Sequence, residues 1–432
     1  MSERYDALAE KWHRFYRGKL SVSLKVPVSS YQDFAVWYTP GVAEPCRQIA
    51  KDPDSVYEYT NKGNSVAVVT DGSRVLGLGN IGSAAGMPVM EGKALLFKYL
   101  GDVDAFPICL STQEPDEIIQ AVKWIAPGFG GINIEDIDAP KCFYIVERLT
   151  EELDIPLFHD DQQGTAVVTL AGLLNALKLR GSKIGGVTFA NLGAGAAGIA
   201  VAKLLVAAGA DPGKMVLVDS KGILYRGRGS MDEWKARMAE ITNREGKTGG
   251  IEEAMKGADV VIGLSRPGPG VITEAMVQSM ADDPIVFALA NPWPEIYPDE
   301  AKKAGARIIA TGRSDFPNQI NNSLGFPAIF RGLLDVGAKV INTEMLLAAA
   351  YELASCAEEK GLREDYIMPT MDEVSVYARE AAAVADAAVR TGAARIKLTR
   401  EEIRARAEER ITRVQKMNRV ALREGLVKPL PP

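Results

Sequence analysis

The chain has 432 residues, 47% of them hydrophobic and 25% charged, with a formal charge of −6 and a pI near 5.4. That length holds two or three domains, the acidic balance excludes a basic nucleic-acid-binding face, and no apolar run approaches the roughly 20 residues of a membrane span. The opening MSERYDALAEKWHRFYRGKL lacks a signal-peptide core, and Cys46, Cys109, Cys142 and Cys356 are scattered without a CxxC pair, so a cytoplasmic setting with reduced thiols is expected. With only His13 and His159 present, a triple-His metal site is impossible within one chain, and acid–base work falls to Lys, Tyr, Asp or Glu.

In chain order, WYTPGVAEP places Tyr38 just ahead of an expected helix start at Thr39-Pro40, since proline suits the first helical position. SVAVVT (65–70) reads as a strand running into TDGSRVLGLGNIG, where Arg74 sits in a glycine-rich loop as a candidate carboxylate clamp. A helix is expected over 88–100, with Lys93 inside an otherwise apolar stretch, VMEGKALLFKYL. Such a lysine either snorkels to the surface or, if desolvated, loses basicity and can act as a base. Strands at 105–110, 132–134 and 156–158 follow, with helices at 115–125 and 139–152 between them. GGINIEDI ends its strand on Glu135 and Asp136; FHDDQQGTAVV ends the next on Asp160 and Asp161.

Acidic residues before the expected helix 165–179 suit a helix N-terminus. Two acidic pairs at the ends of successive strands suggest more. In a parallel sheet such strands often lie side by side and bind ligands at their C-terminal ends. Converging carboxylates need a proton or cation, and a hard divalent ion, Mg²⁺ or Mn²⁺, takes oxygen ligands.

Further strands are expected at 187–191, 215–219, 259–264, 285–290 and 307–310, with helices between. GVTFANLGAGAAG (186–198) runs a strand into Gly193, Ala194, Gly195, Ala196, Ala197 and Gly198, the turn that cradles a dinucleotide pyrophosphate at a helix N-terminus. MVLVD puts Asp219 at the next strand end, suited to the ribose hydroxyl of NAD, while Ser220 and Lys221 suit the 2′-phosphate of NADP. The choice stays open. After about residue 340 the pattern becomes helical. The expected fold is α/β: a catalytic domain over 1–155, a Rossmann-like NAD(P)-binding domain over 156–385, and C-terminal helices over 386–432 packing back on the first domain.

YTPGVA, VTDGSRVLGLGNIG, MEGKALLF, INIEDI, FHDDQQGTA, GAGAAG, ALANPWPE and NQINNSLGFPAIFRG, spread over residues 38–332, together resemble the malic enzyme family in its shorter prokaryotic form. The resemblance implies oxidation of L-malate with NAD(P)⁺, then decarboxylation to pyruvate and CO₂. It implies Lys93 as general base, Tyr38 as the acid that protonates the enol, and Asp160 as the neighbour orienting Lys93. It further implies Glu135, Asp136 and Asp161 as metal ligands, and Arg74, Asn291 and Asn322 as substrate contacts, Asn291 also facing the cofactor. A homodimer or larger homo-oligomer is expected. Two other readings fit the glycine-rich turn. One is an amino-acid or methylene-tetrahydrofolate dehydrogenase, which needs no acidic clusters. The other is a catalytically dead nucleotide-binding regulator.

Overall fold

The computed structural model describes residues 2–431. Two sheets organise it. The first has strand order β2-β1-β3-β4, all parallel: β1 Ser65–Thr70, β2 Asp104–Cys109, β3 Gly131–Ile134 and β4 Leu157–His159. The second has order β10-β9-β8-β5-β6-β7: β5 Phe189–Leu192, β6 Met215–Asp219, β7 Gly222–Ile223, β8 Val260–Gly263, β9 Ile285–Ala288 and β10 Ile308–Thr311. Only the short edge strand β7 runs antiparallel. Runs such as SVAVVT and VVIG are buried at every position, as strands covered on both faces by helices must be.

The helix Thr165–Arg180 is buried along most of its length and packs against the helices Ala196–Ala207 and Thr343–Glu359. It ends at Gly181, whose φ of 76° lets its N–H cap the last turn. The helices Phe326–Asp335, Ser375–Arg390 and Arg400–Arg423 pack on one another, and the last also lies against the helix Ser83–Gly101 of the first sheet's layer. Polar pins tie these helices to the first sheet's layer. Arg331, 1% exposed, donates to Asp335 (2.8 Å) and Asn64 (2.7 Å), and Arg413 reaches Asp102 (2.6 Å). Breaking the buried Arg331–Asp335 pair from one side costs about 3–5 kcal/mol.

The expected strands are all present, with ends within two residues of the expected ones and 65–70 and 215–219 unchanged. Two helix starts differ. The helix expected from Pro88 begins at Ser83, with Pro88 inside it. SAAGM contains residues able to extend the helix, and the true break is Gly82 at φ 79°. Thr39-Pro40 starts no helix. Tyr38 closes the short helix Asp33–Trp37, and the next begins at Ala43. No helix among the described residues is long and apolar enough to cross a membrane.

Candidate active site

The C-terminal ends of both sheets open onto one cleft of about 1480 Å³. Arg74, Lys93, Glu135, Asp136 and Asp161 line one wall; Gly193 to Ala197, Asp219, Ser220 and Asn291 line the other, with Asn322 between. Strand order explains the acidic convergence. β3 pairs with β4 in register, Ile134 opposite His159, so the residues that follow each strand emerge side by side. Carboxylate oxygens of Glu135, Asp136 and Asp161 all lie within 4.8 Å of one another.

That crowding shows in the titration. Burial pushes the Glu135 and Asp161 carboxyls above their usual range, and burial together with the Asp161 charge pushes Asp136 up to about 7. The backbone holds Asp136 at φ 53°, an uncommon conformation for a non-glycine residue, with its N–H on Asp161 Oδ2 (3.0 Å) and its carbonyl taken by the Arg74 N–H (3.0 Å). Asp136 Oδ2 is buried with no partner. An all-oxygen donor set with a buried, unsatisfied carboxylate oxygen fits a hard divalent ion, Mg²⁺ or Mn²⁺.

Lys93 sits beside this cluster, its side chain 12% exposed. Its ammonium pairs with Asp160 and with Glu135 (3.1 Å), and lies 4.6 Å from the centroid of the Phe326 ring. Burial acts to lower its pKa, but the Asp160 and Glu135 charges overcome burial and hold it above the ordinary lysine value. Asp160 is fully buried, accepting from Lys93 and from the Asn322 amide. The two adjacent aspartates therefore face different ways: Asp161 toward the cleft, Asp160 toward the lysine. Between strand and helix runs one irregular turn, Asp160–Gly164, instead of a simple cap. His159, fully buried with both ring nitrogens unpartnered, is lowered by burial to about 4 and stays neutral.

On the opposite wall, Gly193 has φ 122°, and a Cβ there would lie 2.4 Å from the Leu264 carbonyl oxygen. A Cβ at Gly198 would lie 1.7 Å from the Gly193 carbonyl oxygen, so this glycine faces the turn backbone and not the cleft. The helix Ala196–Ala207 starts with no side-chain cap, leaving N–H groups for an anion. Asp219 meets Arg228 through two hydrogen bonds (2.9 and 2.5 Å) and accepts the Lys221 N–H (2.9 Å). Although burial opposes it, these bonds hold its carboxyl below the usual range. Lys221 lines a shallower adjoining cavity with Arg228 and Thr248.

Comparison with known proteins decides the family. The family model "Malic enzyme, N-terminal domain" matches residues 17–150, and "Malic enzyme, NAD binding domain" matches 162–389. The chain belongs to the malic enzyme family. It is similar to the bifunctional malic/malolactic enzyme of Bacillus subtilis (52% identical, covering 93% of this chain and 97% of that one). It is also similar to the NADP-dependent malic enzyme of Halomonas elongata (48%, covering 88% and 92%). The crystal structure of malic enzyme from Pyrococcus horikoshii superposes with a TM-score of 0.89 at 56% identity, covering 92% of this chain and 93% of that one. The other two dehydrogenase and regulator readings are not favoured.

Within this malic enzyme fold, Gly198 and Lys221 lie outside the cleft itself, and Tyr38 is not brought to it by a single chain. Tyr38 is 71% exposed and does not line the cleft. Sequence reading also missed partners the fold supplies. Arg228 is nine positions beyond Asp219 across an irregular loop, with no periodicity to mark it. Phe326 reads as an ordinary helix-start aromatic.

Proposed function

We propose that this chain oxidises L-malate at C2 with NAD(P)⁺ and decarboxylates the resulting oxaloacetate to pyruvate and CO₂, residues 1–155 supplying the chemistry together with Asp160, Asp161 and Asn322, and the rest of 156–385 the dinucleotide site. The observation that carries this reading is the convergence of Glu135, Asp136 and Asp161 beside Lys93, facing the glycine-rich turn across one cleft. When bound, the divalent ion supplies a Lewis acid for the oxygen on C2, and the dinucleotide supplies a hydride acceptor.

The chain's own residues do the rest. Glu135, Asp136 and Asp161 would hold the ion; Arg74, Asn291 and Asn322 would orient the substrate carboxylates. With the Glu135 and Asp161 charges balanced by the ion, Asp160 would be the main charge opposing burial at Lys93, and the Lys93 amine would take the C2 hydroxyl proton as C2–H leaves as hydride. Cleavage of C3–C4 then releases CO₂, its electron pair forming the enolate, and a proton returns at C3. Asp160 keeps Lys93 aimed throughout. In the assay that tests this, L-malate with Mn²⁺ and each dinucleotide in turn yields reduced nicotinamide and pyruvate in equal amounts. Reduced nicotinamide without pyruvate would limit the chain to a plain dehydrogenase.

The proton donor at C3 is Tyr38, supplied by a second copy of this chain. The helices Asp33–Trp37 and Ala43–Lys51 bury none of their own residues, and Val22, Leu24, Tyr31 and Trp37 are exposed around them, an apolar face that a homodimer would cover. Mixed Tyr38→Phe and Lys93→Ala chains should regain about a quarter of parental activity. Half of randomly formed dimers are mixed, and each mixed dimer has one intact site. No recovery on mixing would place Tyr38 elsewhere.

With Asp219 occupied by Arg228, selection of the 2′-phosphate falls to Lys221. Lys221→Ala should raise KM for NADP⁺ and hardly alter KM for NAD⁺; equal effects on both would remove it as selector. The four cysteines are free thiols, which supports action in the cytoplasm.

A further inference from the structure

The buried carboxylate of Glu295 has no part in the chemistry above. It is fully buried and forms no ion pair among the described residues. One oxygen accepts the Ser265 N–H (3.1 Å) and faces the Ser265 hydroxyl (3.4 Å); the other accepts the Ala290 N–H (3.1 Å). Its main-chain carbonyl accepts the N–H groups of Gly270 (3.1 Å) and Ile272 (3.2 Å). One residue thus ties together the loops that leave β8 and β9 at the cleft.

Those loops occupy a particular half of the dinucleotide site. β6, with Asp219, lies on one side of β5, and β8 and β9 lie on the other. A dinucleotide whose adenosine ribose meets Asp219 and whose pyrophosphate crosses the turn after β5 must lay its nicotinamide over the ends of β8 and β9. The same loops also touch the first domain. A Cβ at Gly77, in the loop that carries Arg74, would lie 2.7 Å from Pro292, 3.0 Å from the Asn291 carbonyl oxygen and 3.5 Å from Pro267.

We propose that Glu295 is a positioning residue for hydride transfer: it holds the two nicotinamide-side loops at a fixed separation and so sets the distance between the nicotinamide and C2 of the substrate. The inference rests on the dinucleotide-dependent reading above. Glutamine at this position would turn an amide N–H₂ toward either the Ser265 or the Ala290 N–H, leaving donor against donor and one loop untied. Gly263→Ala offers an independent route. Its Cβ would lie 2.7 Å from the Glu295 carboxylate carbon, displacing that group while keeping its charge.

The experiment compares Glu295→Gln and Gly263→Ala with the parent chain in three measurements: affinity for reduced dinucleotide by nicotinamide fluorescence, malate oxidation with Mn²⁺, and decarboxylation of added oxaloacetate with Mn²⁺. Decarboxylation needs the acidic cluster but no hydride transfer. Both variants should bind the dinucleotide more weakly and lose about 10–100-fold in malate oxidation, the scale of a small misplacement of reacting atoms, while oxaloacetate decarboxylation falls by a distinctly smaller factor, limited to what displacement of Asn291 costs substrate binding. Parental affinity and oxidation in both variants would overturn the proposal. So would loss of oxidation and decarboxylation in the same proportion, including complete loss through misfolding, because that pattern marks a purely structural role. A parent chain that binds no dinucleotide would instead contradict the underlying reading.

Discussion

Lys93→Ala is expected to lower malate oxidation by roughly 10²–10⁴-fold with metal and dinucleotide saturating, the usual worth of a positioned general base. The variant removes one member of a tight cluster, and the geometry says what remains. Asp160 and Glu135 both lose their ammonium partner, Asp160 keeping the Asn322 amide and Glu135 the Asn133 amide, which should leave the grouping of Glu135, Asp136 and Asp161 in place. Apparent Mn²⁺ affinity should therefore survive, so that the lost rate does not come from lost metal. Steady-state kcat together with a Mn²⁺ titration checks both halves. A near-parental rate would move the base assignment to another group. A lost rate with lost Mn²⁺ affinity would show that Lys93 serves the acidic cluster, not the substrate proton.

Removal of the divalent ion is the second large effect. Exhaustive chelation should abolish turnover, and Mn²⁺ or Mg²⁺ should restore it, because burial raises all three carboxyls, and neighbouring carboxylate charges raise Glu135 and Asp136 further, when no divalent cation balances them. Asp161→Asn sharpens the test. Its carboxylate faces the cleft and also receives the Asp136 N–H, so the amide costs a charge and a preferred hard-cation ligand at once. Apparent KM for Mn²⁺ should rise well before kcat at saturating metal falls. Full activity after chelation would remove the metal from the account.

Much of this site was legible in the sequence for a simple reason. Acidic pairs at the ends of consecutive strands converge whenever those strands are parallel neighbours, and β3 and β4 are. The glycine-rich turn was legible because its strand and helix flanks are local. What escaped depends on contacts with no local signature. The Asp219–Arg228 pair crosses an irregular loop. The pairing of Asp160 with Asn322 spans 162 positions. Glu295 sits in a proline-rich stretch, ALANPWPE, where no periodicity separates a buried carboxylate from a surface one. Tyr38 lies on a segment that buries nothing within its own chain, so neither the sequence nor one copy of the fold brings it to the cleft.

The most direct measurement is the position of Mn²⁺ by anomalous scattering in crystals of this chain grown with the ion. The account predicts one strong peak coordinated by oxygens of Glu135, Asp136 and Asp161, beside Lys93. A peak elsewhere in the cleft, or no peak at saturating Mn²⁺, would contradict it.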